Sequence, residues 1–384
     1  MAERLVSVIT DNIVSPLGLS TEENLAAVLA GKSAIRKQED LWDLPEAFAA
    51  SMFDQNKLIQ TCDEEGIDRT LTLFERLVLL SVKLALVQTD IDITSRRVLF
   101  ILSSTKGNID LLRENPDALP PERVFLGETA RIIARHLGNP NSPLVVSNAC
   151  ISGAAAQITA MRLLQSGLYD AAVICGADLL SPFIVSGFQS LKALSEAPCR
   201  PFDEERMGIN LGDAAATIVL KADTSMYPKG WILHKGAIRN DAFHITNPSR
   251  TAEGCCRALQ QVTEGLLSED IAFINAHGTA TLFNDEMEAV AIHRAGFQNV
   301  PTNSLKGYFG HTLGAAGIVE TIISMHTADK GIVLGTKGFD ALGTSRPIQV
   351  QATHSKMREA NTFVKLMSGF GGCNAAMLFK KENP

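Results

Sequence analysis

Short apolar runs alternate with longer stretches of helical periodicity from one end of the chain to the other. The runs, rich in Val, Ile, Leu and Ala, predict strands at Leu5–Thr10, Val98–Ser103, Leu144–Ser147, Ala172–Cys175, Ala214–Leu220, Ile271–Asn275, Phe363–Met367 and Ala375–Phe379. Helices are predicted between them at Glu22–Ala30, Thr70–Gln88, Gly127–His136, Gly153–Ser166, Glu253–Leu267, Asp285–Ala295 and Gly314–Ala328. This alternation implies an α/β protein in which helices cover mostly buried sheets.

Two stretches break the pattern. Lys221–Gly230 is rich in turn residues and marks a midpoint, dividing the chain into halves 1–226 and 227–384. Glu39–Asp68 is acidic and weakly periodic, and reads as a surface excursion. The segment Leu77–Val87 is strongly apolar but carries Lys83 and is too short to span a bilayer, so it reads as a core-facing helix.

The halves echo one another. Cys150 is followed by Ile-Ser and then Gly153-Ala154-Ala155, and His311 by Thr-Leu and then Gly314-Ala315-Ala316. Small residues in a first helical turn permit close backbone approach. A duplicated unit would set two such helices side by side at the centre of the molecule, their N-termini facing one site.

Composition narrows the options. The chain has 384 residues, 46% of them hydrophobic, enough for a large core. A net charge of −7 with 20% charged residues provides no basic face for nucleic acid. The start, Met1 to Ile9, lacks a basic segment, a long apolar core and a cleavage site, which suggests a cytoplasmic protein with no membrane segment. Seven cysteines include no CxxC pair and no His at zinc spacing, so neither a metal nor a disulfide framework is expected.

Cys150 follows a predicted strand and opens a predicted helix, where dipole and unpaired N–H groups would lower its pKa and favour the thiolate. The alternative is a buried structural thiol. His277 lies at the end of a strand, in Asn275-Ala276-His277-Gly278-Thr279, where α/β sheets bind ligands; the alternative is an ordinary hydrogen-bonded loop histidine. Asn284, Asp285 and Glu288 downstream suit a brace for that loop. His311, at the start of the second buried helix, would be held neutral by the dipole and act as an N–H donor to a developing enolate. Lys306 and Glu320 flank it as a candidate buried pair, or else as a loop lysine and a solvated glutamate. Ser368-Gly369-Phe370-Gly371-Gly372-Cys373-Asn374 is a glycine-rich turn between strands, either a plain hairpin or the source of a backbone N–H for an oxyanion with Phe370 as an apolar wall.

Taken in order, these motifs resemble those of the β-ketoacyl-acyl-carrier-protein synthases of the elongating, Cys-His-His type. The likeness runs from Val14-Ser15-Pro16-Leu17-Gly18 and Leu29 to Ile35, through the Cys150 segment, Arg200-Pro201-Phe202-Asp203 and Asp241 to Thr246. It continues through the His277 loop and Lys306 to Gly317, and ends at Gly369 to Asn374. The resemblance implies a thiolase-like fold of two duplicated halves in α-β-α-β-α layers with buried central helices. By similarity, Cys150 would carry the acyl chain, while His277 and His311 support decarboxylation of a malonyl-acyl-carrier protein. Lys306 would order the site with Glu320, and the N–H groups of Cys150 and Phe370 would form an oxyanion hole, Phe370 also gating access. It further implies no metal or organic cofactor, substrates carried on the phosphopantetheine of acyl carrier protein, and a homodimer or a heterodimer with a related synthase. The activity would be decarboxylative condensation in fatty acid, polyketide or polyene synthesis; a chain-length-determining partner subunit without catalysis is the alternative. Ile151 beside the nucleophile, and Glu204 to Asp213 after Asp203, depart from the family pattern and bear on the acyl pocket.

Overall fold

The computed structural model describes residues 4–113, 120–223 and 229–382. In chain order the strands of its main sheet are β1 (Leu5–Val14), β2 (Val98–Ser103), β3 (Leu144–Val146), β4 (Ala171–Asp178) and β5 (Ala214–Asp223), then β6 (Gly230–Asn240), β7 (Phe273–Asn275), β8 (Thr302–Asn303), β9 (Thr362–Gly369) and β10 (Cys373–Glu382). Their order across the sheet is β8-β7-β9-β10-β6-β1-β5-β4-β2-β3.

Outward from the centre, β1-β5-β4-β2-β3 on one side is matched by β6-β10-β9-β7-β8 on the other. On each side the two inner pairings are antiparallel and the two outer ones parallel. Both sides thus run one topology in one chain order, which is what a duplicated unit produces. The two sides meet at one Cα pairing, Ser7 with Ile232. The expected boundary between 226 and 227 lies outside the described residues.

The layers follow from which face each side chain takes. The helices that cover the sheet include α1 (Leu73–Leu86), α2 (Leu126–His136), α3 (Ser152–Gln165), α4 (Glu253–Val262), α5 (Leu282–Arg294) and α6 (Ala316–Asp329). Along β4, Ala172 and Ile174 pack toward α3 and α6, whereas Val173 and Cys175 pack toward α1 and α2, the two-residue alternation of a strand buried on both faces. On the other side Phe363 and Phe379 face the central helices, and Val364 and Leu378 face α4 and α5. Three apolar clusters therefore separate five layers, α-β-α-β-α, as the family resemblance implies.

The repeated Gly-Ala-Ala segments lie at the crossing of α3 and α6. A Cβ on Gly153 would stand 2.9 Å from the Gly314 carbonyl, and one on Gly317 2.5 Å from the Ala154 nitrogen, so the two backbones are in contact there. Gln157 Nε2 bridges the pair, donating to the carbonyls of Gly153 and Gly317 at 3.1 Å each.

All eight predicted strands are present, seven with shifted ends and β2 with the bounds expected. Helix ends move as caps dictate: a Thr72–Glu75 capping box starts α1 at Leu73, not Thr70. The helix expected from Gly314 begins at Ala316, after a 3-10 turn at Leu313–Ala315, and the one expected to reach Leu267 stops at Val262. The Glu39–Asp68 excursion is corrected: it holds a buried strand, Phe48–Ser51, paired with Ile35–Gln38 and Leu211–Gly212, and a helix at Gln55–Glu64. The strand β6 and a helix at Pro182–Ser190 were not predicted. No helix among the described residues is long and apolar enough to cross a membrane.

Candidate active site

The carboxyl ends of β3, β7, β8 and β9 deliver the expected residues to one buried place, where open α/β sheets bind ligands. Cys150 comes three residues after Ser147 through Ala149, whose φ of +44° is unusual for a residue with a Cβ and marks a sharp elbow before the thiol. Cys150 Sγ and ring nitrogens of His277 and His311 lie within 4.8 Å of one another. The two imidazoles meet edge to face, centroids 4.9 Å apart.

Their hydrogen bonds decide which ring nitrogen carries the proton. The Leu313 N–H donates to His311 Nδ1 at 3.0 Å, so Nδ1 accepts and Nε2 bears the hydrogen. That Nε2 is buried and has no partner among the described residues. Lys306 Nζ lies 3.3 Å from His277 Nδ1, and an ammonium can only donate, so His277 Nε2 is likewise an N–H. Burial, then the charge of Lys306, holds both imidazoles well below the ordinary histidine range. Two neutral rings, each with Nε2–H as its remaining hydrogen-bonding group, therefore face the thiol. The expectation that the helix dipole keeps His311 neutral needs amending: His311 stands before the 3-10 turn, and burial with the two lysines is the cause.

The Cys150 expectation is corrected more strongly. Its helix starts at Ser152, and burial pushes the thiol up to about 12, with Cys373 adding and Lys306 and the Phe370 N–H offsetting only part. The resting nucleophile is a protonated thiol.

Lys306 and Glu320 form the expected pair, both buried, Nζ donating to Glu320 Oε1. The sequence reading missed a third member. Lys365, fully buried on β9, places Nζ 2.5 Å from Glu320 Oε2 and 3.3 Å from the Ala276 carbonyl. The register Asn275 with Lys365 puts it behind the His277 loop. Burial, aided by Lys306, pulls Lys365 down to about 8, although Glu320 opposes the shift. Between pH 8 and the unfolded value of 10.5 the unfolded chain binds the extra proton, so folded stability rises with pH across that window. Relative to Lys365→Met, the wild type should gain on the order of 2 kcal/mol there, read from urea unfolding at a series of pH values.

Loop braces hold His277 in place. Glu288 accepts from the His277 and Gly278 N–H groups at 2.7 Å each, and Asp285 from Thr279 and Ala280 at 2.8 and 3.1 Å. Phe370 lies in the β9–β10 hairpin, its N–H directed at Cys150 Sγ and its ring stacked on Phe188 at 5.7 Å. It lines two cavities that both reach Cys150. One, about 250 Å³, opens past His277, His311, Thr279 and Thr281; the other is walled mainly by apolar side chains, Ile184, Phe188 and Leu313 among them.

Comparison with known proteins agrees with this geometry. Residues 3–225 match the family model described as "Beta-ketoacyl synthase, N-terminal domain" and residues 231–340 its C-terminal domain. A 3-oxoacyl-[acyl-carrier-protein] synthase 2 from Vibrio cholerae is 30% identical over 99% of this chain and 100% of its own. A β-ketoacyl synthase from Burkholderia phymatum superposes with a TM-score of 0.85 at 24% identity, covering 99% of this chain and 100% of that one. A structure described as the ishigamide ketosynthase/chain length factor gives 0.84 at 24%, covering both chains completely.

Proposed function

Because the chain belongs to the β-ketoacyl synthase family and is an acyltransferase, we propose that it condenses an acyl group held on Cys150 with malonyl-acyl-carrier protein to give a 3-oxoacyl-acyl-carrier protein. The observation that carries this is the buried thiol facing two neutral imidazoles whose Nδ1 atoms are occupied as acceptors, leaving each Nε2–H as donor.

Cys150 sulfur attacks the incoming thioester, and its proton leaves on the departing pantetheine thiol. The malonyl C–C bond then breaks, CO2 departs, and the electron pair becomes a thioester enolate whose oxygen His277 and His311 Nε2–H hold. Lys306 keeps His277 in that tautomer, and Glu320 fixes Lys306. The enolate carbon attacks the Cys150 thioester; the N–H groups of Cys150 and Phe370 hold the oxyanion until the C–S bond breaks and the thiol recovers a proton. In this reading no metal or organic cofactor takes part.

The partners are an acyl carrier protein and a second synthase subunit, identical or related, in the cytoplasm. The short edge strand β3, with three half-buried apolar residues, is a surface that pairing would cover. The pathway is fatty acid or polyketide synthesis. Neighbours described as including chain length factors favour, as a second reading, a partner subunit that sets chain length. The complete thiol and histidine set supports the catalytic one.

Incubation with acyl- and malonyl-carrier thioesters should give a Cys150 adduct by intact-protein mass spectrometry and a 3-oxoacyl product. A folded protein yielding neither, with any donor, would instead support the partner subunit. Phe370→Ala keeps its backbone N–H but removes the ring between the cavities. Acylation should stay within about tenfold of wild type while selectivity among donor chain lengths narrows, as measured with a panel of acyl-carrier thioesters.

A further inference from the structure

Among the described residues, the apolar cavity beside Cys150 carries one charged side chain, Lys106. The neighbouring Thr105 is already engaged, its hydroxyl and N–H both donating to Asp178. The Lys106 ammonium, in contrast, donates to the Thr105 carbonyl at 3.3 Å and has no carboxylate within 4.0 Å among the described residues.

The backbone holds Lys106 at this wall. Its N–H donates to Asp178 at 3.2 Å, and Asp178, 1% exposed, also accepts from Ser104 Oγ and the Gly314 N–H at 2.8 and 2.7 Å. Gly107 follows at φ +55°, where a Cβ would come within 2.6 Å of Leu126 Cδ2, so the turn is fixed by close packing. This loop leaves β2 as the His277 loop leaves β7. The duplication therefore points both loops at one centre, one toward each side of the nucleophile.

An ammonium half-withdrawn from water on an apolar wall finds no further protein acceptor among the described residues for its remaining donors. A substrate oxygen would supply them, while a plain alkyl chain would shut water out and supply none. Resting on the assignment of this cavity to the chain carried by Cys150, we infer that Lys106 selects acyl groups bearing an oxygen acceptor beyond the thioester, a terminal carboxylate or a chain carbonyl, over unsubstituted alkyl groups. A site built to hydrogen-bond a substrate group discriminates strongly against the analogue that lacks it.

The test compares three carrier thioesters of matched chain length, alkyl, keto and terminal carboxyl, as donors to Cys150 in the wild type, Lys106→Met and Lys106→Gln. Adduct formation is followed by intact-protein mass spectrometry, and urea midpoints establish that each variant folds. An oxygenated donor should acylate the wild type about tenfold or more faster than the alkyl one, and Lys106→Met should reverse the order. Lys106→Gln, which keeps a donor without the charge, separates the sources: it retains a preference for the keto chain and loses one for the carboxylate. Equal or faster acylation by the alkyl donor in both the wild type and Lys106→Met overturns the inference and leaves Cys150 standing as the acyl acceptor. Absence of any Cys150 adduct from all three donors overturns both.

Discussion

Cys150→Ala is expected to form no acyl adduct and no 3-oxoacyl product, a loss of at least about 10³-fold in condensation. No other thiol on the two cavity walls can take over: Cys373, the neighbouring sulfur, lines neither cavity and directs its S–H at the Phe370 and Asn148 carbonyls, 3.3 and 3.8 Å away. The variant should nevertheless still decarboxylate malonyl-carrier protein to acetyl-carrier protein, because Lys306, Glu320 and both histidines remain in place. Peptide mapping after incubation with acyl donors, together with product analysis, checks both halves of the expectation. Condensation that survives the substitution would remove Cys150 from the mechanism.

His311→Ala should separate the two half-reactions. Its Nε2–H is buried with no protein partner among the described residues, which is what a group reserved for a transient oxyanion looks like before substrate arrives. Removing it should slow CO2 release by about 10²–10³-fold, the usual effect of deleting one donor to a developing negative charge. Acylation of Cys150 should change by less than about threefold, since no step of thiol transfer runs through that nitrogen. Decarboxylation is measured as conversion of malonyl- to acetyl-carrier protein, and acylation by intact mass. A parallel fall in both would reassign His311 to activation of the thiol.

The duplicated architecture and most of the site were legible because their signals are local. The Gly-Ala-Ala echo needs only two short segments to be compared, and it proved to be the contact between α3 and α6. Lys306 with Glu320 could be proposed from spacing along one helix and its approach. Lys365 could not, because its meaning comes from the pairing of β9 with β7, a long-range register that no pattern in Phe363–Met367 encodes. It stood in the sequence as one off-pattern lysine within an apolar strand, and a buried lysine in such a run is the signal to heed. The strand β6 was missed for a related reason: His234, Lys235 and Arg239 and a central glycine hide the alternation, and its place is fixed by ten pairings to β10. The thiol's protonation was misjudged because a helix end suggests an electrostatic aid, while the weight of apolar surroundings becomes visible only once the fold closes over Cys150.

The contact of Gly153 with Gly317 has a consequence for how such a protein can diversify. Nucleophile and enolate donors belong to different halves, and the gap between them is set where one backbone rests on another, a hard stop that no side-chain rearrangement can lengthen or shorten. The walls around Phe188, Lys106 and Ile184 are made of side chains and are free to vary. Selection can therefore retool what the protein accepts, residue by residue, without detuning the spacing that performs the chemistry.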